Sequence, residues 1–403
     1  MISYNNVWYL NTLFNGGKNM SINDGKYLIL TNAYPAENQL YRNGFIHRRV
    51  KSYEEYNVNI EVFVLSPAYK NMETYEFENI TVHRGNREHF YHFLQQNDFI
   101  KTLIHFVSND MIEVIKEIKP DMPLIIWIHG FEAEAWHRRW FNFLENRAQL
   151  VRILNMSKDH YIKQMSLMNW LYQTDELNIK FVHVSKWFKE HIAECDARAK
   201  TKNAYIIPNL IDEDFFDFQE KNTSQRLKVL SIRPYASKKY ANDQSVNAVL
   251  ELSSRPYFKR LEFAFYGDGT LFNETMRPLE NFDNVKIHKG FLKQEEISKL
   301  HKEYGVFLCP TRLDSQGVSM CEAMSSGLVP IATNITAIPE FVEHRRSGLL
   351  AKPENPSDIA DQIENLYFNE SLFLRLSQNA SASIIKKCGK NNVISKEMEL
   401  ILS

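Results

Sequence analysis

The sequence predicts an α/β protein with two doubly wound domains, each a parallel sheet between layers of helices. Three observations support this fold class. Apolar strand patterns alternate with amphipathic helical patterns along the chain, as parallel sheets require. The length of 403 residues is too great for one ordinary domain and suits two. Residues 314–317 form a strand-to-helix turn with a glycine, a feature of ligand-binding edges in such sheets.

The composition narrows the function classes. Hydrophobic residues make up 44% of the chain and charged residues 24%, as in soluble globular proteins. The formal net charge of -1 gives no reason to expect a nucleic-acid partner. The four cysteines include no C-x-x-C pair, which argues against a zinc site or a disulfide framework. Because no apolar run reaches the roughly 18 residues of a membrane span and the start is polar, we expect a cytoplasmic protein.

The first half opens with residues 1–25, which lack a clear period and are expected to be an N-terminal extension. A strand is predicted near Tyr27, and the loop after it leads to Gly44. A loop in this position holds ligands in α/β sheets, although a plain turn explains Gly44 equally well. The other elements predicted in this half are a strand at 61–65, an amphipathic stretch from Ile100 to Ile118, and strands at 123–128, 181–185 and 205–209.

His129 directly follows the strand predicted at 123–128. A histidine at the carboxyl end of a central strand is well placed to meet a substrate. The alternative is a histidine that caps the strand through backbone hydrogen bonds.

Residues 136–141 are both basic and aromatic. Aromatic and cationic side chains favour a lipid interface, so one interpretation is an acceptor-side surface that touches a lipid-linked acceptor or anionic headgroups at the inner face of the membrane. The other interpretation is a solvated helical hairpin with its aromatic side chains in the core.

The second half restarts after a polar run at 219–225, which predicts a linker or surface loop and places the domain boundary near residue 212. The next strand is predicted within 227–234, with Arg233 near its end and with Lys238 and Lys239 in the loop after it. Two cations at a strand end would neutralise a diphosphate and stabilise it as a leaving group. Solvated surface residues are the alternative.

A weaker nucleotide signal follows at Gly267-Asp268-Gly269, because Phe272 stands where a dinucleotide fingerprint has its third glycine. The turn at 314–317 is more informative. Gly317 lets the backbone approach a ligand, and the N–H groups of the helix after it attract an anion. Asp314 and Glu322 could each accept hydrogen bonds from paired sugar hydroxyls. Alternatively, Ser319 and Glu322 form a capping box and Asp314 is an ordinary turn residue.

The segment from Asp314 through Glu322 to Leu350 closely resembles the donor-site signature of glycosyltransferase family 4, a family of retaining enzymes with the GT-B fold. That signature has two glutamates with seven residues between them, and Asp314 stands where the first is usual. The resemblance implies two Rossmann-like domains facing across a cleft. The implied domains are an acceptor-side domain at 26–212, a nucleotide-sugar domain at 213–386, and a C-terminal helix at 387–403 that crosses back to the first domain.

The resemblance also implies an activity and a site. The activity is transfer of a sugar from a nucleoside-diphosphate-sugar to an acceptor hydroxyl with retained configuration, as in assembly of bacterial polysaccharide, lipopolysaccharide or glycoprotein glycans. Neither a cofactor nor a metal is expected. The residues implied in catalysis are His129, Arg233, Lys238 and Asp314. The residues implied in donor binding are Gly44, Lys239, Gly267, Gly290, Phe291, Gly317, Val318, Ser319 and Glu322.

Two other functions fit the same residues. One is a sugar-nucleotide epimerase on the same fold, which would rearrange the donor without an acceptor. The other is a catalytically silent subunit that binds a sugar nucleotide for a partner transferase, which the aspartate at position 314 suggests.

Overall fold

A computed structural model describes residues 25–37, 42–143, 147–156 and 161–403. The predicted N-terminal extension therefore lies outside the described residues except for its last position. The chain divides into two compact units, the first ending at Thr102 and the second beginning at Leu103. The domain boundary near residue 212 stays a prediction.

The first unit holds four strands in the order β3-β4-β2-β1. The pairs β1/β2 and β2/β4 are parallel, whereas β3 and β4 form an antiparallel hairpin that the sequence analysis missed. The strands are β1 (Lys26–Thr31), β2 (Ile60–Leu65), β3 (Glu73–Phe77) and β4 (Ile80–Gly85), and the helices are α1 (Gly44–Glu54) and α2 (Arg87–Gln96).

The second unit begins within β5 (Phe99–His105), which is followed in strand order by β6, β7 and β8. The pairs β6/β7 and β7/β8 are parallel. All five residues of β6 are apolar and buried, as in parallel strands covered on both faces. The remaining bounds are β6 (Leu124–Ile128), β7 (Ile179–His183) and β8 (Ala204–Ile206), with helices α3 (Asn109–Ile118), α4 (Arg147–Met156) and α5 (Ile162–Gln173).

A second sheet of six strands has the order β11-β10-β9-β12-β13-β14, and every adjacent pair is parallel. Its strands are β9 (Lys228–Ile232), β10 (Glu262–Gly267), β11 (Val285–Lys289), β12 (Val306–Leu308), β13 (Val329–Thr333) and β14 (Leu349–Ala351). Its helices of eight or more residues are α6 (Asn242–Leu252), α7 (Gln294–Glu303), α8 (Val318–Ser325), α9 (Pro356–Phe368), α10 (Glu370–Cys388) and α11 (Lys390–Leu402). The predicted α/β class with parallel-dominated sheets is confirmed.

One sequence prediction was wrong. The stretch from Ile100 to Ile118 is not one amphipathic element, because β5 occupies its start and only α3 is helical; the backbone turns between them at Phe106, with φ of +60°.

The run 219–225 agrees with the surface-loop alternative, since Glu220, Asn222 and Ser224 are exposed. Lys221 is only 4% exposed and donates to the carbonyl of His301, so this loop is anchored in the second half of the chain.

The C-terminal helix α11 contacts the strand that precedes His129. The side chain of Glu397 is fully buried and accepts a hydrogen bond from Trp127 Nε1 at 3.2 Å. Because both groups are polar and buried, this hydrogen bond replaces one that each would make with water.

Within the described ranges, no helix is long and apolar enough to cross a membrane.

Helix α10 packs one face into the core of the six-stranded sheet, where Phe373 is fully buried. Replacing it with alanine removes apolar burial and leaves a cavity, so we expect Phe373→Ala to lower the free energy of unfolding by about 3–5 kcal/mol. Phe368, at the end of α9, is 64% exposed, and Phe368→Ala should cost less than about 1 kcal/mol. Urea denaturation of both variants provides the measurement. Equal losses would contradict the packing of α10.

Candidate functional site

The site lies where the strand order of the six-stranded sheet reverses. Strands β9 and β12 are parallel neighbours, and the connections leave them on opposite sides in strand order. Ligands of open α/β sheets bind at such a switch point, outside the carboxyl ends of the strands. Arg233 follows β9 and Asp314 lies in the loop after β12, so the fold brings these two predicted residues together.

Arg233 is a nearly buried cation, with 4% of the residue exposed. Its Nη1 donates to Ser319 Oγ at 2.9 Å, and its Nη2 lies 3.9 Å from Asp314 Oδ2. No group in the described part of the chain accepts a hydrogen bond from its buried Nε. Asp314 at that distance compensates the charge only in part, since a direct charge-assisted hydrogen bond is about 1 Å shorter.

Asp314 has two roles in the structure. Its Oδ1 accepts hydrogen bonds from the backbone N–H groups of Gln316 and Gly317, at 3.2 and 2.8 Å. Its Oδ2 faces Arg233. The ordinary turn interpretation therefore describes one oxygen of Asp314, and the other belongs to the charged cluster.

Helix α8 begins directly after Gly317, whose φ of +80° lies in the left-handed region. This conformation favours glycine. The capping-box alternative for Ser319 and Glu322 is wrong, because Gly317 occupies the N-cap and no side chain caps the helix. Val318 and Ser319 instead form the first turn, and Glu322 follows one turn later. The first N–H groups of a helix have no acceptor within the helix, so those of this turn are potential donors to a ligand beside Arg233.

The ring of Tyr240 contacts two of the predicted cations, Arg233 and Lys239. The guanidinium carbon of Arg233 lies 4.7 Å from the centroid of its ring, and the ammonium of Lys239 lies 5.5 Å from it. Cations favour the face of an aromatic ring at such distances. Lys238 and Lys239 occupy a short 3₁₀ turn with Tyr240, so both lysines belong to the loop that approaches Arg233. The sequence analysis missed Tyr240.

The predicted glycines at the ends of β10 and β11 also approach this edge. A side chain at Gly267 would place its Cβ 1.9 Å from the carbonyl oxygen of Arg233, so only glycine fits between the two strand ends. The N–H of Gly290 donates to the carbonyl of Gly267 at 2.9 Å. Phe291, the next residue, is 79% exposed. These residues therefore form a rim beside Arg233 with an apolar ring facing outward.

His129 lies at the end of β6, as predicted, and has two kinds of contact. Its Nε2 shares a hydrogen bond with His105 Nδ1 at 2.9 Å. Its carbonyl accepts a hydrogen bond from Ser315 Oγ at 3.0 Å, which joins it to the turn before α8. The backbone of His129 is therefore held by the turn before α8, and its contact with a substrate stays a prediction.

Glu132 holds the backbone at His129 through hydrogen bonds. Its carboxylate accepts hydrogen bonds from the N–H groups of His129 and Gly130, at 2.6 and 3.1 Å. Burial, with a smaller contribution from the nearby Glu134, outweighs the lowering effect of the backbone N–H groups and raises the pKa of Glu132 to about 7. Nothing in the sequence distinguishes this glutamate from a surface residue, so the sequence analysis missed it.

Gln316 joins the same turn to the segment after β8. It is 1% exposed, and its amide accepts from the N–H of Asn209 at 2.7 Å and donates to the carbonyl of Asn209 at 2.9 Å. A side-chain amide that makes both bonds to one residue fixes the distance between the two segments. Sequence reasoning treated Gln316 as a spacer in the signature.

Two predicted parts of the site, Gly44 and the basic aromatic segment 136–141, stay predictions. Gly44 is the first residue of α1, in the first unit, and a side chain there would meet nothing within 4 Å. In residues 136–141, Arg138 and Arg139 pair with the nearly buried carboxylates of Asp196 and Glu134, while Phe141 is buried and Trp140 is 49% exposed. Contact of this segment with a lipid surface stays a prediction.

The second half of the chain also matches a known family. Residues 229–369 match the model described as Glycosyl transferases group 1. The chain is 27% identical over 146 residues to poly(ribitol-phosphate) alpha-N-acetylglucosaminyltransferase from Staphylococcus aureus, a stretch that covers 36% of this chain and 29% of that protein. The match supports a glycosyltransferase of the group 1 type. The matched stretch of this chain spans only about a third of the length of the Staphylococcus aureus protein and of a second curated relative, 29% and 34%.

Two solved structures share the fold over nearly the whole chain. Sucrose-phosphate synthase from Thermosynechococcus elongatus aligns with a TM-score of 0.69 at 10% identity, covering 93% of this chain and 98% of that one. HepE from Anabaena, solved in complex with UDP and glucose, aligns with a TM-score of 0.65 at 14% identity, covering 94% and 99%. The predicted GT-B fold is confirmed by this likeness.

The pKa of Glu132 makes a stability prediction with a definite sign. The folded-state pKa, about 7, is above the ordinary value of 4.5, so the folded protein holds this proton more tightly than the unfolded chain. The resulting stabilisation is fully present below pH 4.5 and is lost as the pH rises through about 7. Relative to Glu132→Gln, the wild type should lose about 2 kcal/mol of unfolding free energy between about pH 5 and 8.

Chemical denaturation at both pH values checks this expectation. Glu117→Gln, which changes an exposed glutamate on α3, is the matched control and should follow the wild type. Parallel pH dependence of the wild type and Glu132→Gln would contradict the placement of Glu132.

Proposed function

We propose that this protein is a retaining glycosyltransferase of family 4 type that moves a sugar from a nucleoside-diphosphate-sugar to an acceptor hydroxyl. The proposed setting is assembly of bacterial polysaccharide, lipopolysaccharide or glycoprotein glycans. The match of residues 229–369 to group 1 glycosyl transferases supports the reaction class. Donor, mechanism and metal independence are proposed from the residues of the site.

The observation that carries the proposal is the incomplete compensation of Arg233. Burying a cation costs free energy unless it is paired and hydrogen-bonded. Arg233 is 4% exposed, its nearest described carboxylate oxygen is 3.9 Å away, and its Nε has no acceptor in the described part of the chain. An anionic ligand would supply the missing charge and acceptor. A diphosphate fits, since the first turn of α8 offers further donors next to Arg233.

The roles of the other residues follow from their positions around Arg233. The lysine loop at 238–239 would add positive charge to the departing diphosphate, which lowers the free energy of the transition state. Glu322, one turn into α8, would accept hydrogen bonds from the ribose hydroxyls. Asp314 and the backbone at Gly317 would hold the donor sugar. His129 would approach the reaction centre, its backbone held by Glu132.

The first experiment is a binding panel of UDP-, GDP-, ADP-, dTDP- and CMP-sugars, followed by NMR together with slow nucleotide release. UDP-sugars come first because HepE, of the same fold, was solved with UDP and glucose. We expect one diphosphate donor to bind selectively, and Arg233→Gln to weaken its binding at least about tenfold because a charged hydrogen bond is lost.

Arg255→Gln, which neutralises an exposed arginine, should bind the donor like the wild type. A folded Arg233→Gln variant with unchanged donor affinity would overturn the assignment of this site. Release of a rearranged sugar nucleotide without any acceptor would identify an epimerase instead, and binding without turnover over a broad acceptor panel would identify a silent binding subunit.

Glu322 gives an independent test of the donor site. Glu322→Ala should reduce donor turnover by about 100-fold or more if the carboxylate positions the ribose, because misplaced reactants lose much of their effective concentration. Glu364→Ala on α9, which removes a carboxylate bonded to Tyr257, is the control and should keep its turnover. Thermal denaturation verifies that both variants fold. Wild-type turnover in a folded Glu322→Ala variant would contradict the assigned role.

A further inference from the structure

The side chain of Arg312 lies behind the lysine loop, and every one of its N–H groups is used. Nε donates to Glu354 Oε1 at 2.7 Å, and Nη2 donates to Glu354 Oε2 at 2.8 Å and to Asp243 Oδ2 at 2.7 Å. Nη1 donates to Asp243 Oδ1 and to the carbonyl oxygen of Lys238, both at 2.8 Å. A guanidinium has five N–H donors in a fixed plane, so Arg312 has none left for a ligand.

The backbone of the same residue binds the lysine loop a second time. The N–H of Arg312 donates to the carbonyl of Lys239 at 2.8 Å, and Thr311 Oγ1 donates to that carbonyl at 3.0 Å. Consecutive carbonyl groups of Lys238 and Lys239 are therefore held by the loop after β12. This is the loop that also contains Asp314, so both parts of the site share one support.

Two carboxylates, those of Asp243 and Glu354, hold the guanidinium of Arg312 in place. Only 9% of its side chain is exposed. Burial pushes the pKa of Asp243 upward, yet the hydrogen bonds from Arg312 hold that pKa below its ordinary value. The group thus stays a carboxylate and a full partner of the guanidinium. Planar two-oxygen pairing of this kind fixes orientation as well as distance.

The lysine loop has a further contact on its other side. Asn142 Oδ1 accepts hydrogen bonds from Ser237 Oγ at 2.8 Å and from the N–H of Lys238 at 3.1 Å. The N–H of Lys238 is therefore held by Asn142, and the carbonyl groups of Lys238 and Lys239 are held by the loop after β12. Arg312 donates to the carbonyl of Lys238 through its side chain and to the carbonyl of Lys239 through its backbone N–H.

We infer that Arg312 is a positioning residue, which sets the backbone of the lysine loop so that its cations meet the diphosphate of the donor. The inference rests on the proposed function, since it gives Arg312 a role in donor binding without contact to the donor. Lysine cannot replace it, because one ammonium has three donors and cannot pair two carboxylates and a carbonyl in one plane.

The test compares Arg312→Lys with the wild type, using UDP and uridine as probes in calorimetric titrations. We expect Arg312→Lys to lose about tenfold in affinity for UDP, and to bind uridine, which has no phosphate, within about twofold of the wild type. A residue that merely stabilises the fold would lower both affinities together. Arg346→Lys is the matched control, because Arg346 is an exposed arginine paired with Glu343.

Hydrogen exchange of the unliganded protein provides a second measurement that needs no nucleotide. The amides of Lys239 and Ala241 bond within the loop, and they should exchange faster in Arg312→Lys than in Arg346→Lys. Unchanged exchange there would overturn the positioning role, whatever the protein binds. Faster exchange with unchanged UDP affinity, or equal losses for UDP and uridine, would overturn it too.

Failure of the proposed function gives a different pattern. A wild type that binds none of UDP, GDP and ADP would refute the donor site itself, and with it the role of Arg312 in donor binding, while the exchange data would still report whether Arg312 orders the loop. If Arg312→Lys does not fold, Glu354→Gln replaces it. That variant keeps the guanidinium charge and loosens one partner, and its UDP affinity should fall about threefold with uridine binding unchanged.

Discussion

A buried guanidinium at the end of β9 is the constraint on which the site depends. Arg233 stands where the strand order reverses, with the helix α8 starting beside it and Asp314 only partly neutralising it. Removing such a cation from water is costly unless the fold or a ligand replaces its hydration. Two glycines shape the backbone of this edge: Gly317 has a left-handed φ, and Gly267 admits no side chain beside the carbonyl of Arg233.

The turn before α8 connects the two halves of the second unit. Ser315 bonds to the carbonyl of His129, and Gln316 bonds to both backbone groups of Asn209. Ser315 and Gln316 belong to the turn that also carries Asp314. A short turn therefore fixes the position of His129 relative to the charged cluster by hydrogen bonds, which are more directional than apolar contacts.

Much of the architecture could be predicted because its signals are local. Buried parallel strands such as β6 are continuous apolar runs, and the glycine turn at Gly317 predicts the start of α8. Strand β3 of the hairpin was missed because its residues are exposed or half-buried, so that no buried apolar run marks it in the sequence. The stretch from Ile100 was assigned to one element because a strand and a helix follow each other closely. Only three residues separate them, beginning with Phe106, whose backbone is left-handed.

The site could be predicted in its charged residues but not in their supports. Arg233 and Asp314 follow strand ends, a position that sequence patterns reveal. Glu132, Gln316 and Arg312 act through contacts with distant segments, and their residue types are common on any surface. What distinguishes them is burial together with a specific partner, which only the folded chain shows.

The hydrogen bond between Trp127 and Glu397 has a consequence for biosynthesis. The two residues are 270 positions apart, and the tryptophan lies in the strand that ends at His129. During translation that strand emerges long before its partner, so the indole N–H bonds to water until helix α11 has left the ribosome and docked. Contacts this distant in sequence form late in folding. The nascent chain therefore cannot complete the buried contact between Trp127 and Glu397 before α11 has been synthesised.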